Sequence, residues 1–140
     1  MKLVIDSNVF VAALDPKDLF HDECMPIFRR ILDSDIEALC PCLVLAETTC
    51  VLRRRTSSES VAVAVYKHLA QVPSINWLDV TLAVAERASL LGARTGLRGG
   101  DALVLQVAEQ YGVPLLTKDQ EMKKRAPAGI LVFEPTDLRR

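Results

Sequence analysis

Four carboxylates stand where they could do chemistry: Asp6, Glu47, Asp101 and Asp119. Asp6 directly follows the apolar run Leu3-Val4-Ile5, and Asp119 follows Leu115-Leu116-Thr117. An acid placed just after an apolar strand sits where open parallel sheets bind their ligands, at the carboxyl ends of the strands. Each also has an ordinary reading. Asp6 could form an Asx turn into the next helix, and Asp119 could favour the positive end of the helix behind it, with Thr117 and Gln120 as a capping pair. Glu47 has Leu43, Val44, Cys50 and Val51 as its helical neighbours, which places it on a buried apolar stripe. A carboxylate there needs a cation or an escape to the surface, and neither Arg nor Lys occurs between Ile31 and Leu52. Asp101 follows Gly99-Gly100 at the head of an apolar helix, a position the helix dipole alone would favour.

If these four meet, each close pair at about 4 Å repels by roughly 4 kcal/mol at an effective dielectric near 20. Hard divalent ions relieve that repulsion. Mg²⁺ in particular takes a few carboxylates, keeps waters and leaves positions open for phosphate oxygens, which is the chemistry of a phosphodiester-cleaving site.

The elements that must position them alternate along the chain. Leu3 to Ile5 reads as a strand running into a buried helix over Val9 to Leu14, and Asp18 to Leu32 as a second helix. Ile36 to Cys40 is a strand, after which Pro41 fits the first turn of a helix ending near Arg54. Ser57 or Ser58 caps a helix to about Leu69, Pro73 to Leu78 holds a strand, and Thr81 to Ala93 has helical spacing. Asp101 to Tyr111 is a helix, Val113 to Leu116 a strand, Gln120 to Arg125 a short helix and Ile130 to Phe133 a last strand before a charged tail. Short apolar strands separated by helices predict an α/β fold, a parallel sheet covered on both faces, in one domain over 1–140.

Composition narrows the partners. With 17 basic and 18 acidic side chains the net charge is -1, so any nucleic-acid-binding surface must be local. No run reaches the roughly 18 apolar residues of a membrane span and the N-terminus lacks a signal-peptide pattern, so a soluble cytoplasmic protein is expected. The cysteines at 24, 40, 42 and 50 lack zinc-site spacing, and Cys42 and Cys50 read as buried thiols among apolar neighbours. His21 and His68 read as surface or helix-packing residues, and no nucleophile elbow or cysteine-histidine signature is present.

The opening LVIDSNVF, the segment PCLVLAETTCVL around Glu47, and the stretch GGDALVLQVAEQYGVPLLTKDQEM together resemble a PIN domain, particularly of the VapC toxin kind. The likeness covers essentially the whole chain. It implies a three-layer α/β/α sandwich around about five parallel strands, and an acidic quartet at Asp6, Glu47, Asp101 and Asp119. Thr117 matches the hydroxyl of the family's TxD motif, and Asn8 the polar residue after the first aspartate. The implied activity is that of an endoribonuclease using one or two Mg²⁺ or Mn²⁺ ions held by Asp6, Asp101 and Asp119, with Glu47 holding water and Asn8 and Thr117 supporting by hydrogen bonds. Homodimers and a VapB-type antitoxin partner are implied as well.

For RNA, Arg98 and Lys118 are the basic groups beside the proposed ligands, whereas Arg53-Arg54-Arg55 fits a solvated helix C-terminus. Two other functions compete. A haloacid dehalogenase-type phosphatase would need a second aspartate where Asn8 stands. A non-catalytic RNA- or partner-binding module, or a housekeeping nuclease without an antitoxin, would share the same motifs.

Overall fold

In the computed structural model, which describes residues 1–138, five parallel strands form one sheet in the order β3-β2-β1-β4-β5. The central strand β1 (Lys2–Ile5) places Leu3, Val4 and Ile5 wholly out of solvent, because a strand covered on both faces needs apolar residues at consecutive positions. It pairs with β2 (Glu37–Pro41) through Val4 and Leu39, and with β4 (Leu115–Leu116) through Val4 to Leu115 and Ile5 to Leu116. β3 (Ile75–Leu78) and β5 (Val132–Phe133) flank them as the edges.

The helices follow from the crossovers. α1 (Ser7–Leu14), α2 (His21–Leu32), α3 (Leu43–Thr56) and α4 (Glu59–Gln71) connect strands running in one direction across the sheet. α5 (Leu82–Thr95), α6 (Gly99–Tyr111) and α7 (Gln120–Arg125) connect strands running in the other. Since parallel crossovers are right-handed, the two sets lie on opposite faces and make a three-layer α/β/α sandwich. α1 touches α2 and α3, and α3 touches α4, whereas α5 packs on α6. α6 carries an unbroken buried run from Ala102 to Ala108, as expected of a helix lodged between the sheet and α5. The direction of crossing reverses between β1 and β4, and the crevice beyond their carboxyl ends is where such sheets bind ligands.

Several boundaries differ from the sequence expectation, two of them for a reason visible in the structure. Pro41 does not open a helix: it ends β2, where its missing N–H breaks no further ladder bond, and α3 begins at Leu43. α2 begins at His21 rather than Asp18, because the Asp18 carboxylate accepts from the Phe20 amide and holds that segment in a turn. No helix among the described residues is long and apolar enough to cross a membrane.

Candidate active site

Asp6 leaves the end of β1 and caps α1, accepting a hydrogen bond from the Ser7 amide at 2.8 Å through Oδ1. Its other oxygen accepts from the Thr117 hydroxyl at 2.8 Å and from the Asn8 amide at 3.3 Å. The Thr117 hydroxyl is fully used: while donating to Asp6 it accepts from Asn8 Nδ2 and from the Asp119 backbone N–H, both at 3.1 Å. Asn8 Oδ1 in turn accepts from the Lys118 amide at 3.1 Å. Asn8 and Thr117 thus tie the ends of β1 and β4 together and fix both aspartates relative to one another. Asp119 caps α7 through Oδ1, which accepts from Glu121 and Met122. The capping expected of Asp6 and Asp119 is present, and in both it occupies the oxygen that orients the group.

Asp101 stands in the first turn of α6 with one oxygen 3.3 Å from Arg98 Nε, an ion pair whose arginine is 86% exposed. Glu47 reaches the same place from α3. A Cβ added to Gly100 would lie 3.3 Å from Glu47 Oε2, so the bare backbone of Gly100 lets that carboxylate approach the head of α6. The four acids converge from β1, α3, α6 and the β4–α7 turn on the switch-point crevice.

Their electrostatics show the proximity. Burial pushes the Asp6 carboxyl up to about 6, with Asp101 and then Glu47 adding to the rise and hydrogen bonds from Thr117 and Ser7 opposing it. Burial likewise raises Glu47, reinforced by Asp101, and raises Asp101, reinforced by Asp119, while Arg98 partly offsets both. Beside Asp101 and Asp119 lies an open pocket of about 230 Å³, also lined by Arg98, Glu121 and Arg125.

The donor set here is all oxygen. Among the described residues no three His, Cys, Asp or Glu side chains form a ready-made metal-holding group. Carboxylate oxygens are the ligand type that Mg²⁺ or Mn²⁺ takes, one or two at a time with much of the ion's water kept. The residues fit such an ion, since burial and mutual repulsion raise Asp6, Glu47 and Asp101 above the ordinary carboxylate range, and a cation between them would offset both.

Several readings of the sequence change. The buried stripe of α3 runs through Val44, Thr48 and Leu52, so Glu47 lies on its shoulder, half-buried, with Leu43 and Cys50 exposed beside it. Of the apolar neighbours of Glu47, Val44 faces the core, whereas Leu43 lies with Glu47 beside Gly100 at the head of α6. Cys42 and Cys50 are exposed; the buried thiols are Cys24 and Cys40, pushed by burial up to about 11 and about 12. Lys118 does not extend freely toward solvent. Its ammonium lies 3.3 Å from Asp18 and 4.7 Å from the centre of the Phe20 ring. Arg55, read as a solvated helix end, bridges Asp15 at 2.9 Å and Asp18 at 2.8 Å, and with Lys118 it outweighs the effect of burial to hold Asp18 low. His21 meets the Ala12 carbonyl and His68 packs on Phe28, as packing residues do. Sequence reasoning missed Arg125; its only signal is its place in a basic run, Lys123-Lys124-Arg125, at the end of a short helix, where the dipole favours basic residues.

The family model for the PIN domain matches residues 3–127. Among solved structures, the fold is similar to VapC20 of Mycobacterium tuberculosis, a sarcin-ricin loop cleaving toxin, with a TM-score of 0.74 and 19% identity over 92% of this chain and 98% of that one. It is also similar to a chain of VapBC2 from Rickettsia felis bound to a promoter DNA fragment (TM-score 0.70, 14% identity, 96% and 98% covered). A chain of FitAcB from Neisseria gonorrhoeae matches at TM-score 0.70 and 19% identity, covering 99% and 100%. No curated protein matches the sequence.

Proposed function

Because the chain belongs to the PIN-domain family, we propose that it is a metal-dependent endoribonuclease, the toxin of a VapBC-type toxin-antitoxin pair acting in the cytoplasm. The observation that carries this reading is the convergence of Asp6, Glu47, Asp101 and Asp119 on the crevice between β1 and β4, where burial and mutual repulsion raise three of them. The structural likeness to a toxin that cleaves the sarcin-ricin loop, and to chains from VapBC and FitAB assemblies, supports RNA as the substrate and an antitoxin as the partner. A homodimer is part of the same proposal.

Asp6, Asp101 and Asp119 would hold one or two Mg²⁺ or Mn²⁺ ions. When bound, such ions polarise a scissile phosphate, lower the pKa of water and neutralise the leaving oxygen. The chain's own groups do the positioning. Thr117 and Asn8 fix the Asp6 carboxylate by hydrogen bonds, and Thr117 fixes Asp119 through its backbone amide. Glu47, seated beside the bare backbone of Gly100, orients the attacking water and takes its proton.

Mn²⁺ titration tests this. At a hundredfold excess over its Kd the ion should stabilise the protein by about 2.7 kcal/mol, with cleavage of single-stranded RNA appearing over the same range. Stabilisation without cleavage would favour a binding module, and cleavage undiminished in EDTA would exclude the mechanism.

A further inference from the structure

Arg125 occupies the last turn of α7, so the helix that begins with the Asp119 cap ends with this guanidinium on the rim of the same pocket. It is not a loosely solvated side chain. Its Nε donates to Glu121 at 3.1 Å and its Nη1 to the Thr95 carbonyl at 3.3 Å. A Cβ at position 96 would lie 2.8 Å from Nη1, so the guanidinium packs closely over the bare backbone of Gly96, whose φ of +73° itself favours glycine. Five N–H donors are available to an arginine, and those two contacts leave three. The side chain remains 49% exposed, open to a ligand in the pocket.

The charge around the pocket favours an anion under one condition. Arg98 and Arg125 face Asp101, Asp119 and Glu121, which leaves the lining one charge negative; a single divalent ion on the aspartates reverses it to one positive. A planar fork held by its neighbours suits the two oxygens of a phosphate better than a mobile ammonium does. Lys118, on the other side of Asp119, is already committed to Asp18.

Resting on the nuclease reading above, we infer that Arg125, seated on Gly96 and held by Glu121 and Thr95, clamps a backbone phosphate of the RNA next to the scissile one. It acts as a substrate-positioning residue, so its loss weakens binding and lessens the number of phosphates engaged. The ion pair with Glu121 is exposed at both ends and adds little to folding.

The test measures binding of a short fluorescein-labelled single-stranded RNA by anisotropy in Ca²⁺, between about 50 and 200 mM salt. Arg125→Gln should weaken binding about tenfold and flatten the slope of log K against log salt by about 0.7, the loss of one phosphate contact. Arg125→Lys should keep the wild-type slope with intermediate affinity, and Lys67→Gln on α4 should match wild type. Equal affinity and slope in wild type and Arg125→Gln overturns the inference, as does an equal loss in Lys67→Gln. If wild type still cleaves RNA in Mn²⁺, such a result removes only the clamp. If wild type neither binds nor cleaves RNA, the nuclease reading and the clamp fall together.

Discussion

Asp6→Asn should make the metal-free protein more stable at pH 7, although it alters a carboxylate held by three donors. Burial, reinforced by Asp101 and Glu47, puts Asp6 at about 6 against an ordinary 3.8, so keeping it ionised in the fold costs about 3 kcal/mol at neutral pH. Asparagine removes that cost. It also puts an NH₂ group where Thr117 and Asn8 now donate, or turns its carbonyl away from Ser7, and losing one or two hydrogen bonds costs about 1 kcal/mol each. The net gain is about 1–2 kcal/mol, roughly 3–8 °C in Tm for a chain of this size.

The pH dependence has a definite sign. Between pH 3.8 and about 6 the folded protein keeps a proton on Asp6 that the unfolded chain releases, so this group favours folding most below 3.8 and that advantage is lost as pH rises through 6. The variant lacks the titration. Its stability relative to wild type should therefore be slightly negative near pH 4, climb through about 5 and level off above about 7. Urea unfolding in EDTA, followed by circular dichroism across that range, measures it. A variant less stable than wild type at pH 7, with a difference that stays flat from acid to neutral, would refute the account of Asp6 as a buried group among like charges.

Two further substitutions probe the supports. Thr117→Val removes a hydroxyl that donates to Asp6 and accepts from Asn8 and the Asp119 amide; urea unfolding should show a loss of about 1–3 kcal/mol, and RNA cleavage should fall with it. Gly100→Ala should fold with an unchanged or slightly higher Tm, since alanine suits a helix better than glycine by roughly 1 kcal/mol. Its methyl group meets Glu47 Oε2 at 3.3 Å, so cleavage should drop about tenfold while Mn²⁺ still raises the Tm.

The sheet was legible because its strands are buried on both faces and so must be apolar without interruption, as in Leu3-Val4-Ile5. Asp6 and Asp119 stood out because each follows an apolar strand, Glu47 because no basic residue lies near it in sequence, and Asp101 because it heads an apolar helix. Burial on α3 was misread because one-dimensional periodicity cannot tell an apolar residue facing the core from one left at the surface; Leu43 and Cys50 are of the second kind. The contacts of Lys118 and Arg55 were hidden for a different reason. Their partner Asp18 is 100 residues away from one and 37 from the other, a distance that only the folded chain closes. Arg125 depends in the same way on Thr95 and Gly96, which no local pattern connects to it.

The placement of β1 in the middle of the sheet governs when the four acids can meet. One flank of that first strand is completed only by β4, whose register joins Ile5 to Leu116. A nascent polypeptide emerging from the ribosome carries Asp6 and Glu47 early but cannot join them to Asp101 and Asp119 until translation has passed the last strands. Contacts so remote in sequence form slowly and late. An unfinished or prematurely terminated product consequently lacks the assembled cluster of acids.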